Sequence, residues 1–480
     1  MSWQLAVEYA LRVLLAAAVL MQPGLAPMGR LAWLAVGFAL PWVGAPAYLL
    51  FGRSRLGAQR RERYREVCRA IAETELRRSV TMMLQPVPVP QEHAKIATLA
   101  ERVGGNPVRA GNRLEIFGDA DSFLASLERD LDAAREHAHL LFYIWLDDLA
   151  GQRIGAALVR AAQRGVRCRV LLDGVGSRTF LRSDACAELR ACGVEVVEAL
   201  PARIWRLLFA RVDLRNHRKI VVVDGRAGYT GSQNLAEASF ALKRRYAPWV
   251  DVMLRIEGPA VHDLQGLFAQ DWHMETGEDP AAVLTPPFLV APREGLASDS
   301  WVQIAGTGPA AQNEAMRHLV QTAIHSAREE LILTTPYFVP DSATFSALVA
   351  TARCGVETTL VVPARNDSKL VAAASRSYYE ELLEAGVQIW EYEPGLLHAK
   401  TITVDRRLAI VTTANMDRRS FELNFEISTV VYDSDFASRL RLLQRSYQNR
   451  AHAVDRDEWK RRSDFRRLAE NAAGLLSPIL

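Results

Sequence analysis

Beyond residue 112 the sequence repeats itself at the scale of a domain, and that constrains the fold more than any other feature. Ala134-Arg135-Glu136 followed by LLFYIWLDD returns 193 residues later as Ala327-Arg328-Glu329 followed by ILTTPYFVPD. ALVRAAQRGVRCRVLLDG returns as ALVATARCGVETTLVVPA, and ELRACGVE from Glu188 returns as ELLEAGVQ from Glu381. Each copy reads as helix, strand, helix, strand, helix, strand and then a polar hairpin. Such alternation predicts an α/β fold with a mixed, mainly parallel sheet flanked by helices in each copy. A period this long means duplication of a lobe, not a solenoid of short units. The 480 residues then divide into a membrane hairpin with a basic segment (1–65), a connector (66–111), lobe 1 (112–284), a Pro-rich linker (285–300) and lobe 2 (301–480).

The hairpin closing each copy carries the chemistry. The first reads NHRKIVVVDGRAGYTGSQN from Asn216 to Asn234, and the second HAKTITVDRRLAIVTTAN from His398 to Asn415. Both keep the pattern HxKxxxxD with an Asn at the same distance beyond it. Thr412-Thr413 stands where the first copy has Gly231-Ser232. Ile220 to Val223 predicts a buried strand, and Asp224-Gly225 a tight turn into a second strand. Alternation turns His217 and Lys219 to one face, so an imidazole and an ammonium meet at one pocket. A single histidine beside a strand is usually a satisfied core residue; two copies at matched spacing outweigh that reading.

Duplicated HxKxxxxD with a trailing Asn resembles the phospholipase D superfamily. The resemblance implies cleavage of a phosphodiester through a phosphohistidine, with His217, Lys219, Asp224, His398, Lys400 and Asp405 as catalytic residues. One neutral imidazole attacks phosphorus and the other, protonated, hands a proton to the leaving oxygen. Lys219 and Lys400 with Asn234 and Asn415, joined by Ser232 and Thr413, would hold the phosphate oxygens. The superfamily also places an acidic residue downstream of each motif to orient the histidine, matched here by Asp251 and Glu426. Asp224 and Asp405 follow the strand at a turn, where structural support is as good a reading as catalysis. By the same resemblance His217 is the nucleophile and His398 the general acid. Arg215 and Arg218 beside His217, and Glu393 and Glu426 near His398, would bias the two imidazoles in those directions.

Within the superfamily the chain is similar to the bacterial cardiolipin synthases. The residues that carry this are RIEGPAV from Arg255, TPYFVPD from Thr335, ASRSYYEELLEAGVQIWEYEPGLLHAK ending at Lys400, MDRRSFELNFE ending at Glu426, AYLLFGR and the terminal LLSPIL. This implies phosphatidyl transfer between two phosphatidylglycerol molecules. Hydrolysis of phospholipid, a phosphodiesterase acting on nucleic acid (against which the apolar N-terminal end and the second-half motifs argue), phosphatidylethanolamine as donor, and a catalytically dead membrane scaffold are the competing readings. Every motif His and Lys is present, against the last.

The N-terminal end is apolar. Leu31 to Phe51 has no charged residue and is long enough to span a bilayer. Val13 to Met21 extends back to Leu5 if Glu8 and Arg12 neutralise each other at i,i+4. Pro23, Gly24 and Pro27 make a turn between them, giving a helical hairpin with Trp33, Trp42 and Tyr48 at interfacial positions. A signal peptide is the rival, but the start is not basic and a second apolar span follows. Arginines from Arg53 to Arg65 would stay cytoplasmic, which puts both lobes on the cytoplasmic side of the bacterial inner membrane. ARIWRLLFAR (202–211) reads as an interfacial segment or, equally, a buried amphipathic helix. Tyr378 and Tyr379 could line a lipid channel, though packing is the commoner role. A net charge of +3 marks no nucleic-acid partner, and five cysteines without a CxxC pair suggest neither disulfides nor zinc. No metal or cofactor is expected, the partners are phospholipid and membrane, and the oligomeric state stays open.

Overall fold

The computed structural model describes residues 3–22, 27–52, 60, 62–64, 66–70, 89–201, 213–284, 300–309, 314–475 and 477. The segment 202–211, the linker 285–299 and Arg53, Arg55, Arg61 and Arg65 lie outside the described residues. Two compact units emerge: residues 1–61 with 202–214, and 62–201 with 215–480.

In the first unit, α1 (Trp3–Leu20) is followed by α2 (Pro27–Ala39) and α3 (Pro41–Phe51). Among the described residues α1 is the helix long and apolar enough to cross a membrane. The expected continuous span from Leu31 to Phe51 is broken at Leu40 (φ −135°, ψ 69°). Pro41 is the cause, because its ring drives the preceding residue out of the helical region. The Glu8–Arg12 pair forms at 2.7 Å, and Arg12 Nε also donates to the Phe38 carbonyl. Tyr48 is buried between the helices: its hydroxyl donates to Ala18 O at 2.9 Å, and its ring meets Trp33 edge-on. Gly37 lets α1 approach closely, since a Cβ there would lie 2.2 Å from Leu15 Cδ2. Trp42 is exposed.

The second unit is built on one large sheet. Its first half contributes β1 (Arg109–Phe117), β2 (His137–Phe142), β3 (Arg167–Asp173), β4 (Glu195–Ala199), β5 (Arg215–Asn216), β6 (Ile220–Val223), β7 (Ala227–Gly231), β8 (Trp249–Val250) and β9 (Met253–Glu257). The second half contributes β10 (Ser300–Thr307), β11 (Glu330–Thr334), β12 (Phe338–Val339), β13 (Glu357–Pro363), β14 (Gln388–Tyr392), β15 (Leu396–Leu397), β16 (Thr401–Val404), β17 (Leu408–Thr412), β18 (Met416–Asp417), β19 (Asn424–Val431) and β20 (Ala451–Ala453). Spatial order runs β4-β3-β2-β6-β7-β9-β1 and continues β10-β19-β17-β16-β11-β13-β14-β20. Read outward from the β1–β10 pair, the two halves have the same order, with β20 added at one edge. The duplication is therefore a property of the fold, but the two lobes share a sheet.

The sheet is mixed, as expected, but not mainly parallel. Within it, parallel pairing is confined to β2–β3–β4, β11–β13–β14 and the short β5–β19 contact, and the other pairs are antiparallel. The reason is connection length. Helical crossovers give parallel neighbours, whereas the tight β6–β7 and β16–β17 turns give antiparallel ones. The four residues of β6 and of β16 are all buried, β-branched and central in the sheet.

The core also crosses between lobes. The helix α4 (Ala260–Thr276) lays Leu267, Phe268 and Trp272 into a cluster with Ile304, Val411 and Ile427 of the second half. The connector is partly built into lobe 2, where Ile96, Ala97 and Ala100 pack with Ala305 and Met316. Further along the chain, α5 spans Lys369–Arg376 and α6 spans Asp464–Gly474. Tyr379 is buried with its hydroxyl on Glu391, and Tyr378 packs on Phe338 and Phe345, so both are packing residues in this fold.

Candidate active site

Each motif histidine is held by the opposite lobe. His217 Nδ1 lies 2.9 Å from Glu426 Oε2, and His398 Nδ1 lies 2.7 Å from Asp251 Oδ1. The backbone makes the same exchange. The His217 amide donates to Phe425 O (2.9 Å) and the His398 amide to Val250 O (2.7 Å). Short parallel pairings align them: β5 runs beside the start of β19, which carries Glu426, and β15 runs beside β8, which leads into Asp251. The sequence identified both carboxylates as orienters; the crossing was not visible, because linear spacing places each one after its own lobe's histidine.

The hydroxyls after the second strand serve these carboxylates. Ser232 Oγ donates to Asp251 at 2.6 Å and Thr413 Oγ1 to Glu426 at 2.5 Å. Each hydroxyl also accepts from the backbone amide after its strand partner, Val252 N and Ile427 N respectively. Thr413 thus reproduces Ser232, and the Thr-for-Ser exchange leaves the arrangement intact. Gly231 is required in the first copy, where a Cβ would lie 2.2 Å from Val252 O. Thr412 instead bonds Ile427 O and Ser428. Both hydroxyls thus brace the carboxylates that face the histidines.

Lys219 and Lys400 are buried in the same space. Lys219 Nζ donates to His217 O (2.8 Å), and Lys400 Nζ donates to His398 O (2.7 Å) and lies 3.1 Å from His398 Nε2. Burial, then the neighbouring Lys400 charge, lowers Lys219 to about 7. Burial lowers Lys400 to about 8 against the pull of Asp251 and Glu426. Burial also lowers the His217 imidazole to about 4, with Glu426 opposing and both lysines assisting. His398 is lowered by burial, with Asp251 opposing. Burial would raise Asp251, but His398 and Lys400 outweigh it and hold the carboxyl at about 2. Glu426 likewise falls below its ordinary value, as His217, Lys219 and Thr413 outweigh its burial.

The expected electrostatic contrast between the imidazoles is corrected here. Glu426 sits on His217, not near His398, and both rings are lowered because both are buried. What does differ is the outer ring nitrogen, since Lys400 approaches Nε2 of His398 whereas Lys219 bonds only the carbonyl of His217.

Asp224 and Asp405 do not touch the histidines. Asp224 accepts from the backbone amides of Arg135, Glu136 and His137 (2.8, 2.8 and 2.9 Å). Asp405 does the same for Arg328, Glu329 and Glu330 (2.9, 2.7 and 2.9 Å). They tie each hairpin to the first residues of β2 and β11, the structural alternative weighed for turn carboxylates. Asn234 Oδ1 accepts from Ile144 N at 3.2 Å, whereas Asn415 Oδ1 is buried without a hydrogen-bond partner.

Sequence reasoning missed two contributors and misplaced a third. Tyr143 stands edge-on to His217 and under the Lys219 ammonium, and Trp249 lies on His398 with ring centroids 4.7 Å apart. Arg218, between the motif His and Lys, points to the other face. It bonds Asp271 of its own lobe and the carbonyls of Glu426 and Thr307 of the other. Strand alternation could have sent Arg218 away from the pocket, but nothing in the sequence names those partners.

Comparison with known proteins gives the family. The family described as "Cardiolipin synthase, PLD-like domain" matches residues 127–272 and 320–443, and "Phospholipase_D-nuclease N-terminal" matches residues 10–53. Cardiolipin synthase A of Proteus mirabilis is 38% identical over 453 residues, covering 93% of this chain and 92% of its own length. Cardiolipin synthase A of Serratia proteamaculans is 38% identical over 459 residues, covering 94% and 92%. The solved phosphatidylserine synthase of Haemophilus influenzae shares the fold, with a TM-score of 0.59 at 16% identity over 80% of this chain and 99% of that one. With both halves matched by the family and relatives aligned over nearly the whole length, this chain belongs to the cardiolipin synthase family of phospholipase D-like proteins.

Proposed function

We propose that this protein is a phosphatidyltransferase that joins two phosphatidylglycerol molecules into cardiolipin and free glycerol. The observation that carries the reading is the crossed pair His217–Glu426 and His398–Asp251, with a buried lysine beside each imidazole. Each carboxylate fixes its ring with Nδ1–H inward, leaving Nε2 directed at substrate. Neutral His217 attacks phosphorus through Nε2, and the bond to the glycerol oxygen breaks. His398, protonated on Nε2, gives that oxygen its proton. The acceptor hydroxyl then returns a proton to His398 as its oxygen displaces His217 from phosphorus. Lys219, Lys400 and the Asn415 amide neutralise the equatorial oxygens, where charge builds. The anionic phosphate offsets the mutual repulsion of the two lysines and so favours their charged forms.

The choice of His217 as nucleophile rests on the superfamily resemblance; Lys219 donates to the His217 carbonyl, whereas Lys400 also reaches Nε2 of His398 and must leave that nitrogen before it carries the proton given to the leaving oxygen. The membrane arrangement belongs to the same proposal. The hairpin of α1 with α2–α3 anchors the chain as a multi-pass protein of the bacterial inner membrane, and the arginines after Phe51 keep the lobes cytoplasmic.

The test is to incubate purified protein with phosphatidylglycerol alone. Free glycerol with a four-chain lipid is the expected result; phosphatidic acid would make the enzyme a hydrolase, and turnover only with added phosphatidylethanolamine would change the donor. A reporter fused after Leu480 should work in the cytoplasm, and one active only outside it would reverse the topology.

A further inference from the structure

The C-terminal helix α6 wears its polarity inside out. Its inward residues are Glu470 and Ala473. Glu470 accepts from Arg462 and Arg466 at 3.1 and 2.9 Å, and Ala473 packs with Ala374 of α5 and with Val339. Its outward face carries Phe465 (81% exposed), Leu468 (68%), Ala472 and then Leu475 (81%). Spacings of three, four and three residues put these on one stripe of a helix. A contiguous exposed apolar stripe marks a surface that is covered when the protein works.

Contacts continue this surface toward the active site. α5, on which α6 packs, begins with exposed Lys369 and Leu370. Just before it, Asp367 binds Lys243 of the short 3-10 segment Ala241–Tyr246, where Leu242, Arg244 and Arg245 are exposed. The chain then runs directly to Trp249, which lies on His398, and to Asp251. Exposed Arg461, Lys369, Arg244 and Arg245 make the surroundings of these apolar groups mostly basic, with Asp464 at the start of α6 exposed among them.

We infer that the outward face of α6, with Leu370 and Leu242, is a second membrane-docking surface that seats the catalytic unit on anionic phospholipid headgroups, beside the segment that leads to Trp249 and Asp251. Apolar side chains set among cations suit that occupant, entering the headgroup region while the cations meet phosphates. A second copy of this chain suits it less, because a two-fold pairing would press these mostly basic surroundings against themselves. The inference rests on the reading that the substrate is a bilayer phospholipid.

Two measurements on the full-length protein test it. The first replaces exposed Cys192 and Cys354 by serine, introduces Leu468→Cys and attaches an environment-sensitive dye. In nanodiscs containing phosphatidylglycerol the emission should shift to the blue and be quenched by lipids brominated on the acyl chain. Emission unchanged and unquenched would overturn the inference, as would a shift that tracks protein concentration and marks pairing of two copies. The second measurement uses the triple variant Phe465→Ser, Leu468→Ser, Leu475→Ser, which leaves the inward face alone. Its turnover on phosphatidylglycerol vesicles should fall about tenfold or more, while turnover of monomeric short-chain phosphatidylglycerol stays within about twofold. Equal loss on both substrates, or no loss on either, would refute the surface. A blue-shifted, quenched dye at position 468 together with no turnover of phosphatidylglycerol by the unsubstituted protein would instead refute phosphatidyl transfer and leave the docking surface standing.

Discussion

His217, His398 and the two lysines sit where burial works against charge, and that sets how activity should vary with pH. His217 must be neutral to attack, and its imidazole titrates at about 4, so kcat/KM should rise through that value as pH increases. His398 must be protonated, and burial brings its imidazole below the ordinary value, while Lys219 and Lys400 lose their charge at about 7 and about 8. All three losses occur as pH rises, so kcat/KM should fall on the alkaline side with a limiting slope steeper than one proton. A profile measured on phosphatidylglycerol that stays level to high pH would contradict the roles given to the lysines. At this scale the sequence was legible in placement: both His-Lys pairs and the carboxylates Asp251 and Glu426 that it singled out meet through hydrogen bonds in the structure. Which carboxylate serves which histidine was not, because that depends on two-residue strands paired across lobes. Nor were Tyr143 and Trp249 legible as site residues, since each lies among apolar residues that look like ordinary core.

The repeated hairpin explains why the motif contains an aspartate at all. Asp224 and Asp405 take φ values of 50°, and each carboxylate gathers three successive amides at the start of the neighbouring strand. Loss of such charge-assisted bonds leaves buried donors unsatisfied. Asp224→Ala should therefore destabilise the fold by about 2–4 kcal/mol, read as a lowered denaturation midpoint, while the fraction that remains folded keeps its turnover. Turnover abolished with unchanged stability would return Asp224 to the chemistry. The second hairpin has Arg406 at φ 58°, where the first has Gly225 at φ 62°. An L-residue there costs about 1–2 kcal/mol, and the exposed Arg406–Glu329 pair recovers little. Arg406→Gly should raise stability by about 1 kcal/mol, and a loss of that size would show the ion pair matters more. The sequence located both hairpins, but it overestimated parallel pairing and read the second apolar arm as one helix. The turn at Asp224-Gly225 was read, but not how many antiparallel pairs such turns and the cross-lobe β1–β10 contact add to the sheet, and Pro41, which membrane helices tolerate, here breaks the arm at Leu40.

Across the whole molecule, the duplicated halves depend on each other. The sheet is continuous through β1 and β10, the core around α4 draws on both lobes, and each motif histidine takes its amide acceptor and its carboxylate from the other half. Residues 1–284 and 301–480 expressed separately should be inactive, and co-expression should restore turnover; activity in either half as a monomer would show that one lobe holds a complete site. The duplication itself was plain in the sequence. Its consequence, a site that neither copy contains, needed the cross-lobe hydrogen bonds to be seen.

The most direct measurement is the rate at which a phosphatidyl group, labelled in phosphatidylglycerol, becomes attached to His217 in Glu426→Gln. Glu426 lies 209 residues away in the other lobe and reaches His217 only through the crossed contact. The amide keeps the shape but removes the charge that fixes the ring, so attachment at His217 should slow by about 10- to 100-fold, with the label still mapping to His217. Attachment at the unsubstituted rate, or a label found on His398 instead, would contradict the exchange of orienting carboxylates between the lobes.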